Sequence, residues 1–363
     1  MNRFACRLAA GFVCLLAGTA FAGDPVVSNV RASQRGGGSK LVDIYYDVAD
    51  SDGDRLTVSA VITDNGAPVP ATSLTGAIGA NVAPGAGKQI VWDAGADWSG
   101  QFSQSVRVAI TADDGQTPVP SGMVLIPAGI NSGTDPDFGA YSLTNPMAFY
   151  MDATEVTKAK WDEVYIWAIS HGYTFAHAGS GKAANHPVHT VSWHDCVKWC
   201  NARSEKEGRP VSYRVSGSVY RGTDDNAVVC DTSAAGYRLP TDVEFEYAAR
   251  GGLSGKRYPW GDDIDHTKAN YWGETRFSSG GFPYTSPVTT FAANGYGLYD
   301  MAGNLFEWCS DWYPGYVGSI RVDRGGSWNY GADSCRPAYR SNRLAPDYAW
   351  NIIGFRAALP LGQ

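Results

Sequence analysis

The chain has 363 residues, 44% hydrophobic and 18% charged, with 43 Gly, 12 Trp and 20 Tyr. Against average usage of about 7% Gly and about 25% charged residues, this is rich in glycine and poor in charge, which excludes a coiled coil and an acidic disordered protein. The net charge of −7 argues against nucleic acid or an anionic membrane surface as partner.

Residues 1–22 read as a secretory signal peptide. Arg3 and Arg7 form the basic region, Leu8 to Gly18 is mostly apolar, and Ala20-Phe21-Ala22 is a small-x-small cleavage site. The apolar run is shorter than the roughly 20 residues that span a bilayer. Cleavage removes two of 29 basic residues and none of 36 acidic ones, leaving −9. The expectation is a secreted or periplasmic protein with no membrane insertion after cleavage. Cys196, Cys200, Cys230, Cys309 and Cys335 then remain, an odd number for an oxidising compartment.

Residues 23–113 read as a small all-β sandwich module of immunoglobulin or fibronectin type. Short β-branched runs at 41–48, 56–63, 89–92 and 105–111 are separated by Asp/Gly/Pro turns. Asp50-Ser-Asp-Gly-Asp54 has carboxylates at alternate positions, open to a calcium reading or to that of a local turn. Residues 114–122 form a polar linker with two prolines. A second domain, 123–363, begins with a strand at Met123–Ile126. Three helices are expected: one from Lys158 behind Thr157, one from Trp193 to Ser204 capped by Ser192, and one from Asp242 to Arg250 capped by Thr241. Cys196 and Cys200, four apart on the second helix, have a spacing that zinc sites use, but no second pair follows. From 251 onward, Gly, Pro, Trp and Tyr stand among short strands.

The diagnostic blocks lie here. Gly236-Tyr-Arg-Leu-Pro-Thr-Asp-Val-Glu-Phe-Glu-Tyr-Ala-Ala-Arg-Gly-Gly252 precedes Tyr258-Pro-Trp-Gly-Asp262. The run from Asn294 to Tyr313 contains Gly-Leu-Tyr-Asp-Met-Ala-Gly-Asn-Leu-Phe-Glu-Trp, and Arg324-Gly-Gly-Ser-Trp328 and Gly354-Phe-Arg356 follow. Upstream, Phe149 to Thr157 and His186 to Trp193 also fit. Over residues 123–360 the chain resembles the sulfatase-modifying-factor family, whose best-known members are formylglycine-generating enzymes. The resemblance implies an α+β, C-type-lectin-like fold.

It also implies a site. The oxygen-dependent enzymes of the family hold copper between two cysteines five residues apart after the Gly-Gly-Ser motif, as soft thiolates suit Cu(I). Counted from Ser327, these positions fall on Tyr330 and Cys335. Half the pair is missing, which disfavours copper and leaves Ser327 and Cys335 as the catalytic candidates. Cys335 is then either joined to Cys309 in a disulfide or a free, reactive thiol. The family's calcium stretch maps onto the Asp300 side chain, the carbonyls of Gly303 and Leu305, and the Glu307 carboxylate, oxygen donors that suit a hard cation. A second calcium site would use Asn270, the Tyr271 carbonyl and Phe282, with Gly280 standing where a carboxylate is expected.

Two functions follow as expectations. One is a noncatalytic or divergent paralogue that binds a protein or glycan ligand through Trp328, Tyr330, Arg336, Tyr339, Tyr348 and Trp350, an aromatic and arginine mixture typical of recognition surfaces. Retroelement-diversified binding proteins share the fold and place a variable loop there. Arg340 and Arg356 serve equally well as buried structural groups. The other is oxidation of a cysteine in an exported sulfatase to formylglycine.

Overall fold

A computed structural model describes residues 25–361, apart from 51, 52, 54, 102, 116–118, 342 and 343. The signal-peptide reading of 1–22, and Asp52 and Asp54 of the acidic turn, lie outside the described residues. The chain divides into two compact units at Val119/Pro120.

The first unit holds β1 (Val26–Gln34), β2 (Leu41–Ala49), β3 (Leu56–Asp64), β4 (Ala67–Pro68), β5 (Leu74–Gly76), β6 (Gly79–Val82), β7 (Gly85–Asp93), a one-turn helix α1 (Ala94–Asp97) and β8 (Val106–Asp113). One sheet runs β1-β2-β7-β5; the other runs β4-β3-β6, with β8 also pairing β3. Alternation sets the inward face: Val42, Ile44, Tyr46 and Val48 of β2 are buried while their neighbours are less so. They share one hydrophobic core with Leu56, Val58 and Ile62 of β3 and Ile90 and Trp92 of β7. Asp97 fastens the loop before β5, accepting from the backbone and hydroxyls of Thr72 and Ser73 and from the Trp92 indole.

The second unit mixes helices and short strands: β9 (Met123–Ile126), β10 (Gly129–Asp135), β11 (Gly139–Asn145), β12 (Phe149–Asp152), α2 (Lys158–Ser170), α3 (Trp193–Lys206), β13 (Tyr213–Val215), β14 (Ser218–Val219), β15 (Val229–Cys230), α4 (Asp242–Ala249), β16 (Phe306–Trp312), β17 (Arg321–Arg324), a 3₁₀ turn Ala332–Cys335, β18 (Ile353–Gly354) and β19 (Ala358–Pro360). The three longer helices begin where their caps place them. Thr157 accepts from Lys160 N–H, and Ser192 and Thr241 form complete capping boxes with Asp195 and Glu244. Helix α3 is buried on nearly every side. Trp161 of α2 stacks on Trp199 of α3 with ring centroids 6.1 Å apart, and Phe355 meets both edge-on. Large aromatics therefore fill the core around which β16, β17 and β18 carry the site.

Candidate functional site

Strand β16 is the spine of the site. It pairs antiparallel with β17 and parallel with β18, which brings Glu307 beside Gly354 and the following Arg356. The preceding loop is tight. Asp300 and Asn304 have φ of 55° and 63°, and Gly303, at φ +83°, packs so closely that a Cβ there would lie 2.3 Å from the Asn270 carbonyl oxygen.

Beneath this loop lie three buried carboxylates and one guanidinium. Arg356, fully buried, donates to both oxygens of Glu307 at 2.7 and 2.8 Å and to the Tyr299 carbonyl. Asp300 accepts from Thr289 N–H through Oδ2, while its buried Oδ1 has no hydrogen-bond partner. Glu155, which the sequence reading passed over, accepts from Leu305 N–H at 3.0 Å and from the Asn304 side chain at 2.7 Å. Burial pushes Glu155 well above the usual carboxylate range, and the charges of Asp300 and Glu307 push it further. Burial also raises Asp300, to about 6. Its orphaned oxygen and the excess of negative charge suit a hard cation on Asp300 and the neighbouring carbonyls. Glu307 is already committed to Arg356 and could only share its oxygens. The second stretch fits less well: Asn270 Oδ1 is buried without a partner, but Gly280 supplies no side chain, and Lys182 places its amino group nearby, donating to the Phe277 carbonyl. Among the described residues, no three His, Cys, Asp or Glu side chains converge as a metal cluster.

The expected copper position is chemically different. Tyr330 N–H donates to the Ser327 carbonyl, and the Tyr330 ring meets Phe306 edge-on at 5.0 Å. Cys335 is fully buried in a cluster with Tyr258, Ala269 and Ala302. Burial pushes its thiol up to about 12, so a nucleophilic thiolate is not populated at neutral pH, and Tyr330 offers no second sulfur for a Cu(I) pair. The residues present do not fit copper.

The Cys309–Cys335 disulfide is corrected: both are free thiols. Cys309 sits in a separate cluster with Phe149, Phe245 and Val322. A free Cys335 is what the structure contains, but in a form that burial makes unreactive. Cys196 and Cys200 are likewise buried free thiols. Ser327 is fully buried, and its Oγ has no partner.

Of the expected recognition residues, Trp350 is 55% exposed and Trp328 only 5%. Trp328 is a floor, not a contact: its indole donates to the Asn351 carbonyl, and Phe282 and Tyr284 lie against it. Tyr330, Arg336, Tyr339 and Tyr348 are half-buried; Arg336 pairs with Asp137 at 3.3 Å. Arg340 and Arg356 are structural. Arg340 binds Asp242 at 2.7 Å and also Glu246, and Arg324 joins the same two carboxylates. The sequence reading missed Trp272, 66% exposed, and named Phe282, 68% exposed, only in the second calcium stretch. Trp272 N–H reaches the Tyr330 carbonyl at 2.9 Å, which places it beside the site from 58 residues away in sequence.

The sulfatase-modifying factor enzyme 1-like domain model matches residues 110–361. The chain belongs to the sulfatase-modifying factor family. It is 35% identical over 250 residues to a formylglycine-generating enzyme of Streptomyces coelicolor, covering 58% of this chain and 77% of that protein. It is 41% identical over 138 residues to an inactive C-alpha-formylglycine-generating enzyme 2 of Bos taurus, covering 35% and 46%. The structure of Treponema denticola variable protein 1 superposes with a TM-score of 0.54 at 28% identity, covering 67% of this chain and 98% of that one. This member of the family thus combines the family's frame with a position 330 that carries no thiol. No described helix is long and apolar enough to cross a membrane.

Proposed function

We propose that this is an exported, noncatalytic member of the sulfatase-modifying factor family that binds a protein or glycan ligand through the loops around Tyr330. The observation that carries the reading is the chemistry at 330 and 335: a tyrosine and a buried, protonated cysteine replace a thiolate pair. Exposed Trp272, Phe282 and Trp350 beside that position supply the apolar contact area that recognition uses. In this reading the second unit has the C-type-lectin-like fold, stiffened by calcium on Asp300 and the carbonyls of Gly303 and Leu305 with Glu307 shared. The first unit is an immunoglobulin- or fibronectin-like sandwich acting as spacer or second adhesive unit. Export to the periplasm or medium rests on the leader motif at 1–22.

The second reading is formylglycine formation on an exported sulfatase, favoured by the identity to formylglycine-generating enzymes. A peptide carrying Cys-x-Pro-x-Arg, incubated with the protein, copper and oxygen, separates the two. The noncatalytic reading expects the peptide mass unchanged; an aldehyde formed at a rate proportional to protein concentration would reject it.

A further inference from the structure

Four chain segments converge on a cleft of about 300 Å³ whose lining does not include Tyr330, Trp272, Phe282 or Trp350. His194 comes from the first turn of α3, Asp224 and Asn226 from the connection between β14 and β15, Ser319 from the turn between β16 and β17, and Pro346 and Asp347 from the C-terminal loop. The volume is at the lower end of small-molecule sites.

The hydrogen-bonding state of the lining can be worked out. Tyr220 Oη accepts from Asp225 N–H at 3.2 Å and lies 3.0 Å from His194 Nδ1, to which it can give its own proton. Burial lowers the His194 pKa; Asp224 opposes this, while Lys198 and Arg321 add to it. The imidazole is therefore neutral with its proton on Nε2. Asn226 donates its Nδ2 to the Gly318 carbonyl and also meets the imidazole, which leaves its Oδ1 for the ring N–H. Ser319 gives its hydroxyl proton to the Tyr316 carbonyl and keeps its lone pairs. Asp224 is paired with buried Lys198 at 2.8 Å, and the Asp347 side chain is exposed at the rim.

The cleft therefore offers mostly acceptors, yet its charge is largely balanced from behind. A cationic ligand would feel the buried charges of Lys198 and Arg321, which act on His194 from behind the lining, and an anionic one would meet Asp224 and Asp347. A neutral ligand with several hydroxyl groups meets neither penalty: its O–H groups donate to Asp347, Asp224 and Ser319, and its C–H face lies on Pro346. We propose that this cleft is a binding site for a neutral polyhydroxylated ligand of monosaccharide size, such as the terminal sugar of a glycan. It goes beyond the proposed function and does not require it.

The test is saturation-transfer NMR and calorimetry on the intact protein with the methyl glycosides of glucose, galactose and mannose, and with N-acetylarginine amide as the cationic arm. Ser319→Ala and Asp347→Ala alter exposed side chains, and unchanged circular dichroism verifies their fold. The expected result is saturable binding of at least one glycoside, weakened tenfold or more by Asp347→Ala and by Ser319→Ala and unchanged by Trp350→Ala. No glycoside binding, binding indifferent to both cleft variants, binding lost in Trp350→Ala, or binding of the arginine derivative instead would overturn the proposal. Loss confined to Trp350→Ala would assign the sugar to the face around Tyr330, leaving that reading intact.

Discussion

Cys335 stands where the resemblance assigns a copper ligand, but its surroundings remove the chemistry. Tyr258, Ala269 and Ala302 enclose the sulfur, and a thiol held up to about 12 by burial carries almost no thiolate at neutral pH. Iodoacetamide at pH 8 is expected to leave Cys335 unmodified in the native protein and to label it fully after denaturation; rapid native labelling would contradict the burial. Arg356 makes the opposite case, a charge that the core cannot spare. Among the described side chains it is the direct partner of Glu307, and it also offsets the field of Glu155 and Asp300. Removing one member of a buried pair costs about 3–5 kcal/mol. Arg356→Met is expected to lose about that much in denaturant unfolding, and millimolar calcium is expected to recover part of the loss. A variant as stable as the parent would show that Glu307 and Arg356 are not a charged pair in the native core.

At the scale of elements, the polypeptide declares its helices more openly than its strands. Thr157, Ser192 and Thr241 are cap residues whose partners lie three positions on, so α2, α3 and α4 could be read from local chemistry. β2, β3, β7 and β8 were legible from β-branched runs. β5 and β6 were not: Leu74–Gly76 and Gly79–Val82 hold too few apolar residues for a period to register. β10 was missed for a related reason, as its alternate positions are Asn, Gly and Asp and its Ile130 faces outward. The site divides the same way. Asp300 and Glu307 lie in one block, whereas Glu155 reaches Leu305 across 150 positions, a pairing that only the fold creates. The supposed disulfide failed because two cysteines in neighbouring blocks entered different cores. Asp97 shows how one short element can be tested. The hydrogen bonds it accepts outweigh desolvation and lower its pKa from 3.8 to about 2. A depressed acid stabilises the fold above its unfolded pKa and loses that contribution as pH falls towards its folded one. The first unit is expected to weaken between pH 4 and 2, and Asp97→Asn to flatten that slope; an unchanged slope in the variant would place the acid sensitivity elsewhere.

For the whole molecule, the family frame and the departures from it have to be weighed together. The family model runs through residue 361, so the frame is retained across the second unit while the thiol pair is not. Calcium is part of the proposed reading: a ligand bound by the folded state alone adds about 2.7 kcal/mol at a hundredfold excess over Kd. The melting temperature is therefore expected to rise with calcium and fall with a chelator, and Asp300→Asn to remove most of that response; a melting temperature indifferent to both would argue against the site. The account turns on the absence of thiol chemistry at Tyr330 and Cys335. Mass spectrometry of a Cys-x-Pro-x-Arg peptide after incubation with the protein, copper and oxygen tests it most directly. The account predicts no formylglycine at any copper loading, whereas steady turnover to the aldehyde would contradict it.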